Sequence, residues 1–119
     1  MTRITATCHC GAVEIAADLV APLSEAKRCN CSFCKRRQAA NVSAAASSLR
    51  VLRGNDVLTL YQWGTGTAQH YFCRICGIYT HHRRRTRPDE CGINIGCIDG
   101  INPADFEPIE TTDGIELKL

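Results

Sequence analysis

The sequence predicts a single, mainly antiparallel β domain with one short helix and turns that carry metal-binding cysteines. The chain has 119 residues, which suffices for one compact domain, spanning residues 1–119, with a modest core. Its apolar residues fall in short segments, several of which alternate with polar residues and are followed by glycine or proline. Nine residues are cysteines, and several stand where these segments turn. These three observations define the fold class.

The first part of the chain predicts a β-hairpin followed by the helix. Strands over residues 3–7 and 12–19 flank a turn that carries Cys8 and Cys10, and Pro22 ends the second strand. The helix covers residues 33–38, and Ser32 is a candidate N-cap.

Cys34 falls in the first turn of this predicted helix, where the helix dipole favours a negative charge. We therefore expect the pKa of its thiol to be lowered, which would favour metal binding.

The remainder of the chain reads as strands joined by short turns. A hairpin is predicted where glycines separate two β-rich segments around residue 65, and residues 103–106 predict one helical turn. The aliphatic residues at the end of the chain predict one last short strand. Because aromatic residues are few, the core is expected to be small and aliphatic. The predicted strands of this part cover residues 42–46, 49–53, 57–63, 67–72, 78–82, 91–97 and 115–119.

The cysteine content indicates metal rather than disulfides. Nine is an odd number, so complete disulfide pairing is impossible. The first residues contain no apolar core of a signal peptide, and no segment is long enough to span a membrane. We therefore expect a cytoplasmic protein, in which clustered cysteines are more often metal ligands or catalytic thiols.

Seven cysteines form three groups, which divide into a set of four and a set of three. Gly11 and Gly77 each follow the second cysteine of a pair, as expected in metal-binding turns that need a positive φ. This shared feature favours joining the two pairs into one closed structural zinc site, the four-cysteine group. Three cysteines, which we call the cysteine triplet, then remain to bind a second zinc that has one coordination position open. The four-cysteine group is Cys8, Cys10, Cys73 and Cys76, and the cysteine triplet is Cys29, Cys31 and Cys34.

A second interpretation is that both sites are structural. In that case another side chain would be the fourth ligand of the zinc at the triplet and would leave no coordination position open. Cys97 is the strongest candidate, although a cysteine in an apolar strand is usually only a small buried hydrophobic residue. The possible fourth ligands are Cys97, Cys91, His9 and His70.

Three ordered motifs resemble the glutathione-dependent formaldehyde-activating enzyme (GFA) family, which is shared with centromere protein V. They are Cys8-x-Cys10-Gly11-x-Val13, then Cys29-Asn30-Cys31-Ser32-x-Cys34, then Phe72-Cys73-x-x-Cys76-Gly77. The resemblance implies a β-tent (Mss-like) fold of antiparallel sheets stapled by zinc. It also implies a structural zinc on the four-cysteine group, a catalytic zinc on the cysteine triplet, and thus two zinc ions per chain.

The activity that the resemblance implies is that of a carbon–sulfur lyase. The family's namesake reaction joins formaldehyde and glutathione to form S-(hydroxymethyl)glutathione. The sequence departs from the namesake enzyme in two ways: the chain is shorter, and residues 78–82 and then an arginine run, Arg83–Arg87, follow the last motif. The expected partners are a small thiol, such as glutathione, and a small aldehyde, while the oligomeric state stays open.

Other residues are candidates for supporting roles in such a reaction. The arginine run could bind substrate carboxylates, although such a run is often only a solvated loop. Arg74 could form hydrogen bonds around the metal-binding turn. The candidate proton donors are His70, His81, His82 and Tyr79, although a histidine is more often a surface or structurally bonded side chain.

The alternative function is a non-catalytic zinc-binding module that docks protein or nucleic acid. The net charge of only +2 argues against nucleic acid, as does the lack of aromatic residues among the basic ones. Zinc or redox sensing through the open thiolates is a third hypothesis.

Overall fold

A computed structural model describes residues 2–84 and 87–113 of the chain. Within these residues it contains ten β-strands, one short α-helix, α1 (Cys34–Arg37), and four short 3₁₀ turns. The predicted strand over residues 115–119 and Arg85 of the arginine run lie outside the described residues. No helix in the described part is both long and apolar enough to cross a membrane. The strands are β1 (Thr2–Thr7), β2 (Glu14–Leu19), β3 (Lys27–Cys29), β4 (Asn41–Ala45), β5 (Arg50–Arg53), β6 (Leu58–Tyr61), β7 (Gln69–Cys73), β8 (Tyr79–Arg83), β9 (Glu90–Asn94) and β10 (Glu110–Thr112).

Hydrogen bonds join the strands in the order β1-β2-β4-β9-β8-β7-β6. Every neighbouring pair along this path is antiparallel. Strand β5 pairs with β2, and β3 connects to β4. The structure therefore confirms a mainly antiparallel β domain with one short helix. The two predicted hairpins, β1–β2 and β6–β7, are both present.

Two short strands depart from the antiparallel pattern and were not predicted. Strands β3 and β10 pair in parallel, from Lys27 opposite Glu110 to Cys29 opposite Thr112. The polar sequence before Cys29 has no alternation that would indicate a strand. The pairing brings the end of the described chain beside the first cysteine of the triplet.

The predicted strand over residues 91–97 is partly wrong. Strand β9 ends at Asn94, and Ile95–Cys97 forms a 3₁₀ turn instead. The Asn94 side chain accepts a hydrogen bond from the backbone N–H of Gly96, which caps this turn. This local bond competes with continuation of the strand. The predicted helical turn at Pro103–Phe106 is confirmed as 3₁₀.

The core is aliphatic and small, as the composition predicted. Its largest fully buried apolar side chains are isoleucines and valines, and no phenylalanine or tryptophan is among them. Cys8, Cys73, Cys91 and Cys97 pack within the same core cluster. The core therefore reaches the metal-binding turns. The principal core residues are Val13, Ile15, Val42, Ile93 and Ile95.

Candidate zinc sites and the cavity beside the cysteine triplet

The four-cysteine group assembles from two similar turns. One joins β1 to β2, and the other joins β7 to β8. In each turn the first cysteine donates its backbone N–H to a carbonyl five residues later, at 3.1 Å for Cys8 and 3.0 Å for Cys73. Gly11 and Gly77 have φ of 82° and 79°, the positive values predicted for them. The thiols of Cys8 and Cys73, which are 65 positions apart in sequence, therefore lie close together.

The distances within this group fit a tetrahedral zinc. The Sγ atom of Cys10 lies 3.7 Å from those of both Cys8 and Cys73. Sulfurs placed about 2.3 Å from a tetrahedral zinc would be about 3.8 Å apart. All four sulfurs lie within 4.8 Å of one another. The group could hold one metal ion, and its all-sulfur donor set is consistent with zinc.

Backbone N–H groups point at these sulfurs and favour the thiolate form. Val13 donates its N–H to Cys8 Sγ at 3.3 Å. Burial raises the pKa of Cys8, but this bond and the neighbouring thiols bring it below its ordinary value. Burial likewise opposes ionisation of Cys76, while the backbone N–H groups of Cys10 and Ile78 lower its pKa to about 6.

The cysteine triplet sits at the junction of β3 and α1. Cys29 ends the strand, Cys34 begins the helix, and Cys31 lies in the connection between them. The backbone N–H of Cys31 donates to Cys29 Sγ at 3.4 Å, and that of Cys34 donates to Cys31 Sγ at 3.3 Å. The three sulfurs lie within 4.8 Å of one another and could also hold a metal ion. Each of the nine cysteines is a free thiol, so no disulfide competes for them.

The pKa predicted for Cys34 is wrong, and so is the predicted N-cap. Burial raises the pKa of Cys34 well above its ordinary value, although the nearby Arg37 acts against this. Phe33 precedes the helix without a side-chain cap, so Ser32 is not the N-cap. Helix α1 has only four residues, and its dipole is correspondingly small. Cys31 differs, because hydrogen bonds, chiefly from Cys34, outweigh burial and lower its pKa.

No fourth cysteine, histidine or carboxylate joins the triplet within residues 2–84 and 87–113. Cys97 is turned away, with its Sγ donating to the Tyr79 carbonyl at 3.5 Å. Burial raises the pKa of Cys97 to about 11, and Cys8 and Cys76 of the four-cysteine group add to the effect. Cys91 is fully buried in the core and His9 is exposed. His70 approaches the triplet but hydrogen-bonds to Arg37 instead.

A cavity of about 460 Å³ opens beside the triplet, and all three of its cysteines line the wall. The lining also includes Trp63, His70 and His82. The lining is strongly basic, with five cationic side chains and one carboxylate, Glu25. Four of these cations pair with glutamates outside the lining. The pairs are Lys27–Glu110 (3.9 Å), Arg28–Glu107 (3.0 Å), Arg84–Glu90 (3.2 Å) and Arg87–Glu90 (2.9 Å).

Arg37 is the exception among these cations. None of the carboxylates in the described part of the chain pairs with it. Its guanidinium lies 3.9 Å from the ring centre of Tyr79 and 4.8 Å from that of Phe33. Its Nη1 contacts His70 Nδ1 at 3.2 Å, and its buried Nε has no hydrogen-bond partner among the described residues. One pattern in the sequence could have identified this residue, since Arg37 follows Cys34 by three positions on a helix and shares its face.

The candidate proton donors separate into two sets. His70 and His82 line the cavity, whereas His81 points elsewhere and stacks on Tyr71 at 4.7 Å. Burial lowers the pKa of His70 and of His81 to about 4, helped by Arg37 and Arg83 respectively. Burial also lowers the pKa of His82 and raises that of Tyr79. At neutral pH these histidines are uncharged, and none is an imidazolium acid.

Gly92 supports the position of His82 from the neighbouring strand. The two residues face each other across β8 and β9, and a Cβ on Gly92 would lie 2.2 Å from His82 Cε1. We expect Gly92→Ala to displace the ring, break the hydrogen bond between His82 and Tyr79, and cost roughly 1–3 kcal/mol of stability. Thermal unfolding monitored by circular dichroism measures this loss. Gly96→Ala is the control, because its Cβ would meet nothing closer than 3.4 Å. Equal melting temperatures for the two variants would contradict the expectation.

Arg74 does not line the cavity, whereas two residues of the arginine run do. Arg84 and Arg87 reach the cavity, and both are paired with Glu90. Arg74 is exposed, and its backbone N–H donates to Val57 at 2.8 Å. Sequence reasoning missed Arg37, Phe33 and Trp63 as parts of the site.

The fold and the site together define a class of protein: a small antiparallel β domain with two thiol clusters, one closed and one facing a basic cavity. Comparison with known proteins agrees. A family model described as glutathione-dependent formaldehyde-activating enzyme matches residues 3–112, and the chain belongs to this family. The crystal structure of a Rhodobacter sphaeroides protein from structural genomics is 53% identical, with a TM-score of 0.89. The match covers 92% of this chain and all of that one.

Proposed function

We propose that the protein is a zinc-dependent enzyme of the carbon–sulfur lyase type. It adds a thiol such as glutathione to formaldehyde or a related small carbonyl, or catalyses the reverse reaction. One observation carries the proposal: three thiols converge beside a cavity of about 460 Å³, with no fourth protein ligand in the described part of the chain. Three protein ligands with one position left for substrate are typical of catalytic rather than structural zinc. The family membership supports the thiol and the aldehyde.

Each cysteine cluster has its own role in this proposal. Cys29, Cys31 and Cys34 hold the catalytic zinc, and Cys8, Cys10, Cys73 and Cys76 hold the structural zinc. Zinc at the triplet supplies a Lewis acid that lowers the pKa of an incoming thiol. The backbone N–H groups of Cys31 and Cys34 orient the triplet sulfurs for this task.

The chemistry balances without a further reagent. The substrate thiol releases its proton to solvent, and its sulfur forms a bond to the carbonyl carbon. The π electrons of the carbonyl move to oxygen, which takes one proton back from solvent to give the hydroxymethyl thioether.

The cavity walls suit an anionic thiol. Arg84 and Arg87 are both tied to Glu90, so their charge is partly neutralised, whereas Arg37 keeps its full charge for a substrate. Trp63 lines the cavity and packs on Phe33, 6.4 Å away between ring centres, which gives the site an apolar side. The same ion pairs count against nucleic-acid docking, because paired arginines have little charge left for phosphates.

Turnover with defined substrates tests the proposal. The zinc-loaded protein is mixed with glutathione and formaldehyde. The rate at which glutathione and the adduct interconvert is measured by ¹H exchange spectroscopy and compared with the rate without protein. We expect acceleration, together with two zinc ions per chain, of which a chelator removes one more easily. A rate equal to that without protein, or a single tightly bound metal, would contradict the proposal.

A further inference from the structure

The contact between Arg37 and His70 fixes which nitrogen of the imidazole carries hydrogen. A guanidinium has only donors, so its Nη1, at 3.2 Å, must donate to His70 Nδ1. Nδ1 is therefore the acceptor, and a neutral ring carries its hydrogen on Nε2. The tautomer of His82 is not fixed in this way, because its Nδ1 contacts the Tyr79 hydroxyl, which can either donate or accept a hydrogen bond.

The surroundings of His70 keep its ring neutral. The side chain is only 6% exposed, and burial lowers its pKa to about 4 with the positive charge of Arg37 adding to the effect. The ring is also held on two sides, by Phe33 at 4.5 Å and by His82 at 5.5 Å between ring centres. His70 is therefore a rigid, uncharged hydrogen-bond donor at pH 7.

The Nε2–H group of His70 can donate a hydrogen bond to a ligand in the cavity. His70 lines the same cavity as the cysteine triplet. Its only side-chain hydrogen bond in the described part of the chain is the one to Arg37, which uses Nδ1. Because no described residue accepts a hydrogen bond from it, Nε2–H is available for a group that enters the cavity. Phe33, whose ring packs at a tilt against that of His70, lies between Cys31 and Cys34 in the chain.

We propose that the neutral Nε2–H of His70 donates a hydrogen bond to the carbonyl oxygen of the substrate, and that Arg37 is the positioning residue that enforces this tautomer. This inference rests on the proposed function. As sulfur attacks carbon, the carbonyl π electrons move to oxygen, and the His70 bond strengthens with the growing charge. His70 keeps its hydrogen throughout, and the proton that completes the hydroxyl comes from solvent. A neutral imidazole can polarise a carbonyl in this way.

Two substitutions at His70 test this role in the zinc-loaded protein with glutathione and formaldehyde. His70→Leu removes the donor and is expected to lower kcat on the order of 100-fold, with a small change in the KM for glutathione. In His70→Gln the side-chain amide replaces the Nε2–H donor, and we expect most of kcat to return. Circular dichroism and zinc content verify that both variants are folded and loaded. A His70→Leu variant as fast as the wild type, or a His70→Gln variant as slow as His70→Leu, would overturn the role.

Nitrogen-15 NMR of the imidazole tests Arg37 without relying on turnover. At pH 7 the wild type is expected to show a single Nε2–H tautomer for His70, and Arg37→Met a mixture of tautomers. An Nδ1–H tautomer or an imidazolium in the wild type would overturn the inference. Failure of the proposed function is distinguishable, because the wild type would then show no acceleration at all, whatever the tautomer.

Discussion

Replacing Cys73 by alanine is expected to leave the domain unfolded at room temperature. Its thiol is fully buried, and it belongs to the group that ties the turn between β1 and β2 to the turn between β7 and β8. A structural zinc site of this kind contributes on the order of 10 kcal/mol. The whole domain is stable by only about 5–15 kcal/mol, so this loss removes most of the folding free energy.

Cys91→Ala is the matched control for this experiment. Cys91 is equally buried in the same core but belongs to neither cysteine cluster. Its substitution removes the same atom without removing a ligand, and should cost only about 1 kcal/mol. Far-UV circular dichroism and urea unfolding compare the two variants, and a chelator added to the wild type should reproduce the unfolding of Cys73→Ala. Similar unfolding midpoints for both variants would show that the four-cysteine group does not hold the fold together.

The cysteine clusters could be predicted because their geometry is encoded locally. Gly11 and Gly77 marked the two turns, and both adopt the positive φ that only glycine takes readily. The spacing of Cys29, Cys31 and Cys34 allowed their thiols to converge without help from distant residues. The hairpins followed from alternation and glycine turns, which are also local signals.

What escaped prediction depends on contacts that the sequence does not encode locally. Strands β3 and β10 have three residues each, too few for a recognisable alternation, and they form only because the folded chain brings them together. The cavity has the same origin, since its walls include residues of β3, β4, β7, β8, β10, α1 and the loop around Trp63. The pKa of Cys34 was misjudged because burial, which is a tertiary property, outweighs the dipole of a one-turn helix.

Replacing Cys31 by alanine is expected to abolish turnover and leave the fold intact. Cys31 lies in the connection between β3 and α1, outside every strand and helix, and its thiol faces the cavity beside the other two. Its pKa is lowered by hydrogen bonds that overcome burial, so it is well suited to bind metal as a thiolate. Altering residues that merely orient a metal ligand costs about 10–100-fold, so loss of the ligand itself should exceed about 100-fold.

The stoichiometry of zinc gives this experiment its sharpest outcome. Cys31→Ala should retain one zinc per chain and melt close to the wild type, because the four-cysteine group is untouched. Cys97→Ala is the control: its thiol is buried but directed at the Tyr79 carbonyl, away from the triplet, so both zinc ions and turnover should persist. If Cys97→Ala instead loses the second zinc, Cys97 closes the triplet and the site is structural. If Cys31→Ala keeps full activity, the reaction centre lies elsewhere. Turnover and metal content measured on both variants therefore separate an open catalytic triplet from a closed structural one.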